Sequence, residues 1–289
     1  MMNKIRYCIV LLFVVTFSYG QENKEKTRKV SHEVIYKVVK KDTLKLQIYN
    51  PVNFSDDKEY PTIVFFFGGG WNGGSISQFE SQALYFSSRG MISVLVDYRV
   101  KSRHKTTPFD AVRDAKSAMR FLRINAKKYC INTDKIVAAG GSAGGHLAAA
   151  TTLLEELNEP NEDLSISTKA SALVLYNPVI DNSENGYGYE RIGDRYLEIS
   201  PMHNIKKGAP PTIFFLGTKD KLIPVSTAED YKARMEAVGS RCDVITYKDQ
   251  PHGFFNKGKQ DADRCYIETT READVFLESI GFLEGMPTL

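Results

Sequence analysis

Residues 135–148 read KIVAAGGSAGGHLA, and this stretch decides the fold. An apolar strand ends in glycines, one serine follows, and an alanine-rich helix comes next. Gly140, Ser142 and Gly144 fit the pattern G-x-S-x-G, in which a sharp strand-to-helix turn strains the serine backbone. Glycine neighbours let the strand and the helix approach closely. The pattern predicts that the Ser142 hydroxyl projects above the sheet, at a helix N-terminus whose amides favour negative charge.

Strands and helices alternate on both sides of this turn, after a hairpin predicted over residues 34–49. Apolar strands alternating with helices predict an α/β fold, a mostly parallel sheet with helices on both faces. Neither an internal repeat nor a low-complexity linker divides the chain, so we predict one domain over residues 21–289. Strands are predicted at 62–67, 92–97, 135–139, 172–176, 211–216 and 243–247, and helices near 78–88, 108–128, 143–157, 225–238 and 263–280.

A serine hydroxyl becomes a nucleophile only when a base takes its proton, and a third group must orient that base. In this type of turn the partners follow in the order serine, acid, histidine. His146 lies in the same helix as the serine and points along it, which leaves His203 and His252 downstream. His252 is favoured because it follows a strand, and open α/β sheets hold their active sites at the carboxyl ends of strands.

The acid is predicted at the end of the strand 211–216. Asp220 follows that strand and lies between Ser142 and His252 in the chain. A carboxylate there would hold the imidazole in the tautomer that accepts the serine proton. Alone, Asp220 would be read as a turn or helix-capping residue. Asp249 is the fallback, although it lies too near His252 in the chain to orient it easily.

A tetrahedral intermediate also needs hydrogen-bond donors for its oxyanion. The backbone N–H of Ala143, directly after the nucleophile, is one predicted donor. A second is expected from the glycine loop after the strand 62–67, at Gly69 or Gly70. Trp71, next in the chain, is the candidate for lining the substrate pocket, with a bracing role for the loop as the alternative.

Together these motifs resemble the α/β-hydrolase superfamily, and within it the esterases related to hormone-sensitive lipase and to bacterial acetyl and feruloyl esterases. Phe67 stands where such enzymes usually carry the histidine of His-Gly-Gly-Gly. The similarity extends over Asp97-Tyr98-Arg99, which is more often structural in this family, Asn177-Pro178 and the segment that begins at His252. It implies a serine carboxylesterase acting through an acyl-enzyme, without a metal or an organic cofactor.

Gly68, Gly70 and Gly73 also match G-x-G-x-x-G, and a strand ending at Asp97 follows at roughly the spacing of a dinucleotide fold. That interpretation leaves the serine, acid and histidine unexplained. The loop is not a Walker A motif either, because Gly74 stands where the lysine should be.

The N-terminus predicts export. Lys4 and Arg6 precede a short apolar run, and small residues end near Gly20, so residues 1–20 are predicted to be a signal peptide cut near Gly20. An uncleaved anchor is the alternative. The chain has 38 basic and 35 acidic residues, so it is nearly neutral without Lys4 and Arg6 and gives no electrostatic case for nucleic acid or an anionic membrane. We expect a secreted or periplasmic protein.

Three cysteines remain after the predicted cleavage: Cys130, Cys242 and Cys265. Cys242 and Cys265 could form a disulfide, and three free buried thiols are the alternative. No Cys-x-x-Cys spacing suggests zinc.

Residues 181–208 form a long irregular stretch, predicted to be a lid or substrate loop. Its tyrosines and arginines, Tyr187 and Arg191 among them, suit a sugar-bearing ester better than a long acyl chain. A solvated loop with structural tyrosines is the alternative. The expected substrates are short acyl or aromatic esters on carbohydrate, a choice that rests on export and on the family resemblance. A peptidase of the same superfamily, or a binding protein on this fold, is the alternative function.

Overall fold

Long runs of apolar residues become the strands of one central sheet. The computed structural model describes residues 31–259 and 263–289. Each of the two strands that carry the runs at 92–96 and 172–176 is buried along its whole length, as expected for strands covered on both faces. The strands in chain order are β1 His32–Val39, β2 Asp42–Tyr49, β3 Tyr60–Phe66, β4 Ile92–Val96, β5 Ile131–Gly141, β6 Ala172–Tyr176, β7 Thr212–Gly217 and β8 Cys242–Tyr247.

The eight strands form a single sheet with the order β1-β2-β4-β3-β5-β6-β7-β8. The predicted hairpin β1–β2 is antiparallel, and β2 pairs with β4 in the antiparallel sense. All remaining neighbours are parallel, so the carboxyl ends of β3 and of β5 to β8 lie at one edge. The α/β prediction is therefore confirmed, and that edge is where open sheets of this kind hold their sites.

Helices cover both faces of the sheet and enclose two apolar cores. One core lies under the helices that follow β4, β5 and β7, and the other lies under the first helix and the last. The helices are α1 Glu80–Ser88, α2 Lys101–His104, α3 Pro108–Ile124, α4 Ala126–Tyr129, α5 Ala143–Leu153, α6 Tyr189–Ile192, α7 Tyr196–Ile199, α8 Val225–Ala237 and α9 Arg264–Ser279.

Two predicted helices end earlier than the sequence pattern indicated. The segment 108–128 divides at Asn125, whose side chain donates to the Phe121 carbonyl at 2.9 Å and so competes with the helical hydrogen bonds. Helix α5 ends at Leu153 rather than near 157. The next three carbonyls converge on the buried ammonium of Lys116, at 2.9, 3.1 and 2.5 Å, instead of continuing the helix.

The segment predicted to be irregular contains short helices. Besides α6 and α7, residues Gly193–Arg195 and Pro201–Asn204 form 3₁₀ turns. Turns this short carry little periodic signal, which explains why the sequence pattern missed them, as it missed α2. In the described ranges no helix is long and apolar enough to cross a membrane.

The predicted signal peptide, residues 1–20, lies outside the described residues. The structure distinguishes the disulfide from the free thiols. Cys242 is a free and buried thiol, and burial raises its pKa to about 12. The Cys242–Cys265 disulfide is therefore not formed. Both side chains are instead packed within the apolar cores.

Candidate active site

Ser142 occupies the sharp turn between β5 and α5. Its φ of 55° and ψ of −122° are strained for a residue with a side chain. A Cβ at Gly144 would overlap the Phe66 carbonyl oxygen, and one at Gly140 would overlap the Gly144 carbonyl oxygen. The glycines are therefore required by the close approach of β3, β5 and α5.

Asp220 and His252 meet above the ends of β7 and β8. The two loops are joined by a hydrogen bond from Lys219 N to the Gln250 carbonyl at 2.9 Å. His252 Nδ1 lies 2.7 Å from Asp220 Oδ2. The other carboxylate oxygen of Asp220 accepts from the backbone amides of Leu222 at 2.8 Å and Ile223 at 3.0 Å. These bonds hold the buried carboxylate in one orientation against the ring.

The alternative residues have other partners. His203 Nδ1 lies 2.8 Å from the Ser200 hydroxyl, and its ring packs edge-on against Tyr196. Asp249 pairs with Lys219 at 3.0 Å on the surface. His146 is fully buried, and its Nε2 donates to the Ile199 carbonyl at 2.9 Å. The ring of His146 therefore braces the segment after α7 and does not turn back to the serine.

Asn177, at the end of β6, is a site residue to which the sequence pattern assigned no role. Its side-chain nitrogen lies 3.2 Å from His252 Nε2. Among the described residues, no hydrogen bond joins Ser142 to His252, so Nε2 has the amide as its partner. A polar residue directly after a buried strand was the signal that could have indicated it.

The backbone amides of Gly69, Gly70 and Ala143 remain available near the serine. Gly68, Gly69 and Gly70 follow β3, and a Cβ on Gly68 would lie 3.3 Å from the Ser142 Cβ. The Gly68 amide donates to Gln78 Oε1 at 2.6 Å. In the described part of the chain, the amides of Gly69, Gly70 and Ala143 have no such partner, and Ala143 begins α5. These are the three predicted oxyanion donors.

Phe67 is accommodated by aromatic stacking. Its ring stacks on Tyr98 with centroids 4.1 Å apart, and the Tyr98 hydroxyl donates to the Phe67 carbonyl at 2.6 Å. Gln78 accepts from the amide of Gly68 and in turn donates to Asn256 Oδ1 at 3.0 Å. Arg99, after Tyr98, forms a buried ion pair with Asp114 at 2.8 Å, so this segment is structural. The glycine loop is thus braced although Phe67 stands where the family resemblance led us to expect a histidine.

The segment after β6 reaches over the glycine loop. Arg191 donates to the Gly70 carbonyl, and its guanidinium lies 5.2 Å from the ring centres of both Trp71 and Tyr187. A Cβ on Gly70 would lie 2.8 Å from the Tyr187 hydroxyl. Trp71 is only 2% exposed and packs edge-on against His146, with φ of 55°. Its placement favours the bracing alternative, and substrate contact by Trp71 stays a prediction.

A cavity of about 380 Å³ opens beside this cluster. Trp71 and Arg191 form one wall of it, and Lys101, Lys105 and Glu190 contribute charged groups. Within the described ranges, no group of three or more metal-binding side chains is placed to hold an ion.

Comparisons with known proteins identify the families that this chain resembles. Residues 46–185 match the BD-FAE family, and residues 170–283 match the dienelactone hydrolase family. A probable isoprenylcysteine alpha-carbonyl methylesterase of Arabidopsis thaliana is 27% identical over 232 residues, which are 72% of this chain and 48% of that protein. An acetylxylan esterase of Xylanibacter ruminicola is 27% identical over 201 residues, which are 65% of this chain and 39% of that protein. The chain spans about half the length of the first curated relatives it matches.

Esterase 2 of Thermogutta terrifontis is similar over nearly its whole length. In the form phosphoramylated by tabun it is 43% identical, with a TM-score of 0.85, covering 89% of this chain and 97% of that one. Its propionate-bound form is 41% identical, with a TM-score of 0.84, covering 90% and 97%. On this similarity, and on a strained serine turn in a mostly parallel sheet, the chain belongs to the α/β-hydrolase serine esterases, a family of ester-hydrolysing enzymes.

Proposed function

We propose that this protein is a carboxylesterase in which Ser142, His252 and Asp220 act as nucleophile, base and orienting acid. The observation that carries the proposal is the hydrogen bond between His252 Nδ1 and Asp220, at the same sheet edge as the strained serine turn. That bond leaves Nε2 as the nitrogen that can accept a proton. The arrangement supports acyl transfer because Asp220 orients the ring of His252 at the sheet edge that also carries the serine turn.

The reaction follows from these groups. Ser142 Oγ attacks the ester carbonyl while its proton moves to His252 Nε2. The amides of Ala143 and of Gly69 or Gly70 donate to the oxyanion, and such a donor is typically worth about 2.7–4 kcal/mol of the barrier. His252 then gives the proton to the leaving alcohol. Water, deprotonated by the same imidazole, hydrolyses the acyl-enzyme and restores the serine.

The preferred substrates, on this proposal, are short acyl or aromatic esters on carbohydrate. Tyr187 and Arg191 pack directly over Gly70, which leaves little length for an acyl chain beside the oxyanion loop. The cavity beside Trp71 offers both apolar and hydrogen-bonding walls to a hydroxylated alcohol. A related protein is named an acetylxylan esterase, and another was solved with propionate bound, which supports the same class.

We also infer that the protein is exported, with residues 1–20 as a signal peptide. The apolar run after Lys4 and Arg6 and the small residues near Gly20 support this inference. Mass spectrometry of the protein secreted by a bacterial host tests it. A mature N-terminus near Gln21 supports export, and a full-length chain retained in the cell contradicts it.

The first experiment compares Ser142→Ala with the unmodified protein in hydrolysis of p-nitrophenyl acetate, butyrate and octanoate. We expect Ser142→Ala to lose about 10⁴-fold or more in kcat, as nucleophile deletions do. Ser165→Ala, which removes an exposed hydroxyl, is the control and should keep full activity. Acetate and butyrate should be hydrolysed faster than octanoate, and acetylated xylo-oligosaccharides then test the carbohydrate class.

Two outcomes would overturn parts of the proposal. Equal rates for the unmodified protein and Ser142→Ala would contradict the catalytic role of the serine. A failure to react with a fluorophosphonate probe would then favour the binding-protein alternative, and cleavage of peptide p-nitroanilides would favour the peptidase. Faster hydrolysis of octanoate would contradict only the short-chain class.

A further inference from the structure

Asn177 lies where β6 ends, against the imidazole of His252. Its side chain is fully buried, and its backbone φ is 34°, in the left-handed region. Asparagine tolerates this region better than most residues, yet such conformations still cost energy and cluster at functional sites. The buried amide at this strained position is therefore best explained by what it contacts.

The contacts fix the orientation of the amide. The Gly253 backbone N–H lies 3.3 Å from Asn177 Oδ1. A backbone N–H can only donate, so the oxygen of the side chain must face Gly253. The amide nitrogen then faces His252 Nε2 at 3.2 Å, and it can donate there only when Nε2 carries no proton. The proton of the neutral ring is thereby assigned to Nδ1, which donates to Asp220.

We propose that Asn177 is a positioning residue that holds His252 in the neutral, base-competent tautomer, with the proton on Nδ1 and none on Nε2 before a substrate binds. The proposal rests on the proposed function, because it concerns the base of that reaction. A protonated Nε2 would place two donors face to face, so the amide opposes protonation of the resting ring. The proposed reaction then requires the Ser142 hydroxyl to take the place of the amide at the Nε2 lone pair before its proton moves to Nε2.

The other charged groups around His252 do not provide this effect. Asp220, on the loop after β7, contacts the ring at Nδ1 and not at Nε2. Lys219 and Asp249, on the two loops that meet there, pair with each other at 3.0 Å and are mostly exposed. In the described part of the chain, Asn177 is thus the side chain placed to contact Nε2.

The test uses Asn177→Asp and Asn177→Gly, because aspartate and glycine both tolerate the left-handed backbone. Aspartate keeps the acceptor for Gly253 and turns the donor at Nε2 into a carboxylate. We expect the acidic limb of kcat/KM against pH to move upward by about 1–3 pH units in Asn177→Asp, as an adjacent opposite charge does. Asn177→Gly should move it in the same direction by less. Asn53→Asp adds the same charge on the segment before β3, at the opposite edge of the sheet, and should leave the profile unchanged.

A second measurement does not depend on activity. The chain has five histidines, so His252 can be assigned in ¹⁵N spectra of histidine-labelled protein by comparison with His252→Gln. In the unmodified protein at neutral pH, Nε2 should be unprotonated and Nδ1 protonated, and Asn177→Asp should protonate the ring at higher pH. A proton on Nε2, or an acidic limb and a titration unmoved in both variants, would overturn the proposal. Absence of ester hydrolysis by the unmodified protein would refute the proposed function, and the spectra would still decide the role of Asn177.

Discussion

At the residue scale, burial determines which hydrogen-bond partner and which charge a side chain at this site can have. His146 illustrates this, since it lies four positions after the serine yet is fully buried under Trp71 and bonded to the Ile199 carbonyl. Burial lowers its pKa from 6.5 to about 4, because the low-dielectric interior disfavours the charged ring. The neutral form is therefore part of the folded structure.

This shift predicts a pH-dependent loss of stability. Between pH 6.5 and about 4 the unfolded chain binds a proton at His146 that the folded chain does not, so stability falls as the pH falls through this window. The contribution is about 3 kcal/mol at its limit, at 1.36 kcal/mol for each unit of pKa. In His146→Gln this part of the pH dependence should disappear, measured as the free energy of unfolding in urea from pH 7 to 4.

The control for this measurement is His32→Gln, which changes an exposed histidine on β1. The prediction compares how the free energy of unfolding changes with pH and not its absolute value, because either substitution can also alter packing. Parallel curves for His146→Gln and the unmodified protein would contradict it.

At the element scale, the glycine loop after β3 is held by elements distant in the chain. Tyr98 holds the Phe67 carbonyl from beyond β4, Gln78 holds the Gly68 amide, and Arg191 of α6 holds the Gly70 carbonyl. Three hydrogen bonds thus fix a loop whose own sequence is too flexible to fix itself. We infer that preorganised amides for an oxyanion depend on these braces.

Arg191→Met tests this dependence, since methionine keeps an apolar stem and removes the donor. We expect kcat/KM for p-nitrophenyl acetate to fall roughly 10-fold or more, because a hydrogen bond to a charged group is worth about 1.5–3 kcal/mol. The fall should appear in kcat, and the free energy of unfolding should decrease by no more than about 3 kcal/mol. Arg195→Met, which removes an exposed arginine paired with Glu198 in the same segment, should keep the activity.

At the scale of the whole molecule, a buried cluster of charges joins the N-terminal hairpin to the rest of the fold. Asp114 of α3 is fully buried and accepts from Lys37 of β1 at 2.7 Å and from Arg99, after β4, at 2.8 Å. Glu159 also reaches Lys37, at 2.5 Å. Four separate regions of the chain therefore share one ionic centre.

Asp114→Asn should leave two buried cations without full compensation. We expect it to lower the free energy of unfolding by about 3–5 kcal/mol, as removal of one partner of a buried pair does. Asp230→Asn, which breaks an exposed pair with Arg234, is the matched control and should cost about 1 kcal/mol or less. Urea denaturation measures both, and equal effects would show that burial does not set the contribution of Asp114.

The sequence by itself determined the α/β class, the strand boundaries to within a few residues, and the serine turn. These features depend on local patterns, namely apolar runs, glycines beside Ser142 and the order of strands and helices. Chain order also predicted that Asp220 and His252 would meet, and the structure places them 2.7 Å apart. Short helices in the segment 181–208 escaped prediction because turns of three or four residues carry too little periodicity.

Only the tertiary structure decided the remaining features. The contact of Asn177 with His252, the braces of the glycine loop and the burial of Trp71 join residues far apart in the chain. Cys242 and Cys265 lie within apolar cores instead of forming a disulfide. Such contacts depend on how parallel strands bring their ends to one edge and how side chains then fill the space there, and no local pattern encodes that packing.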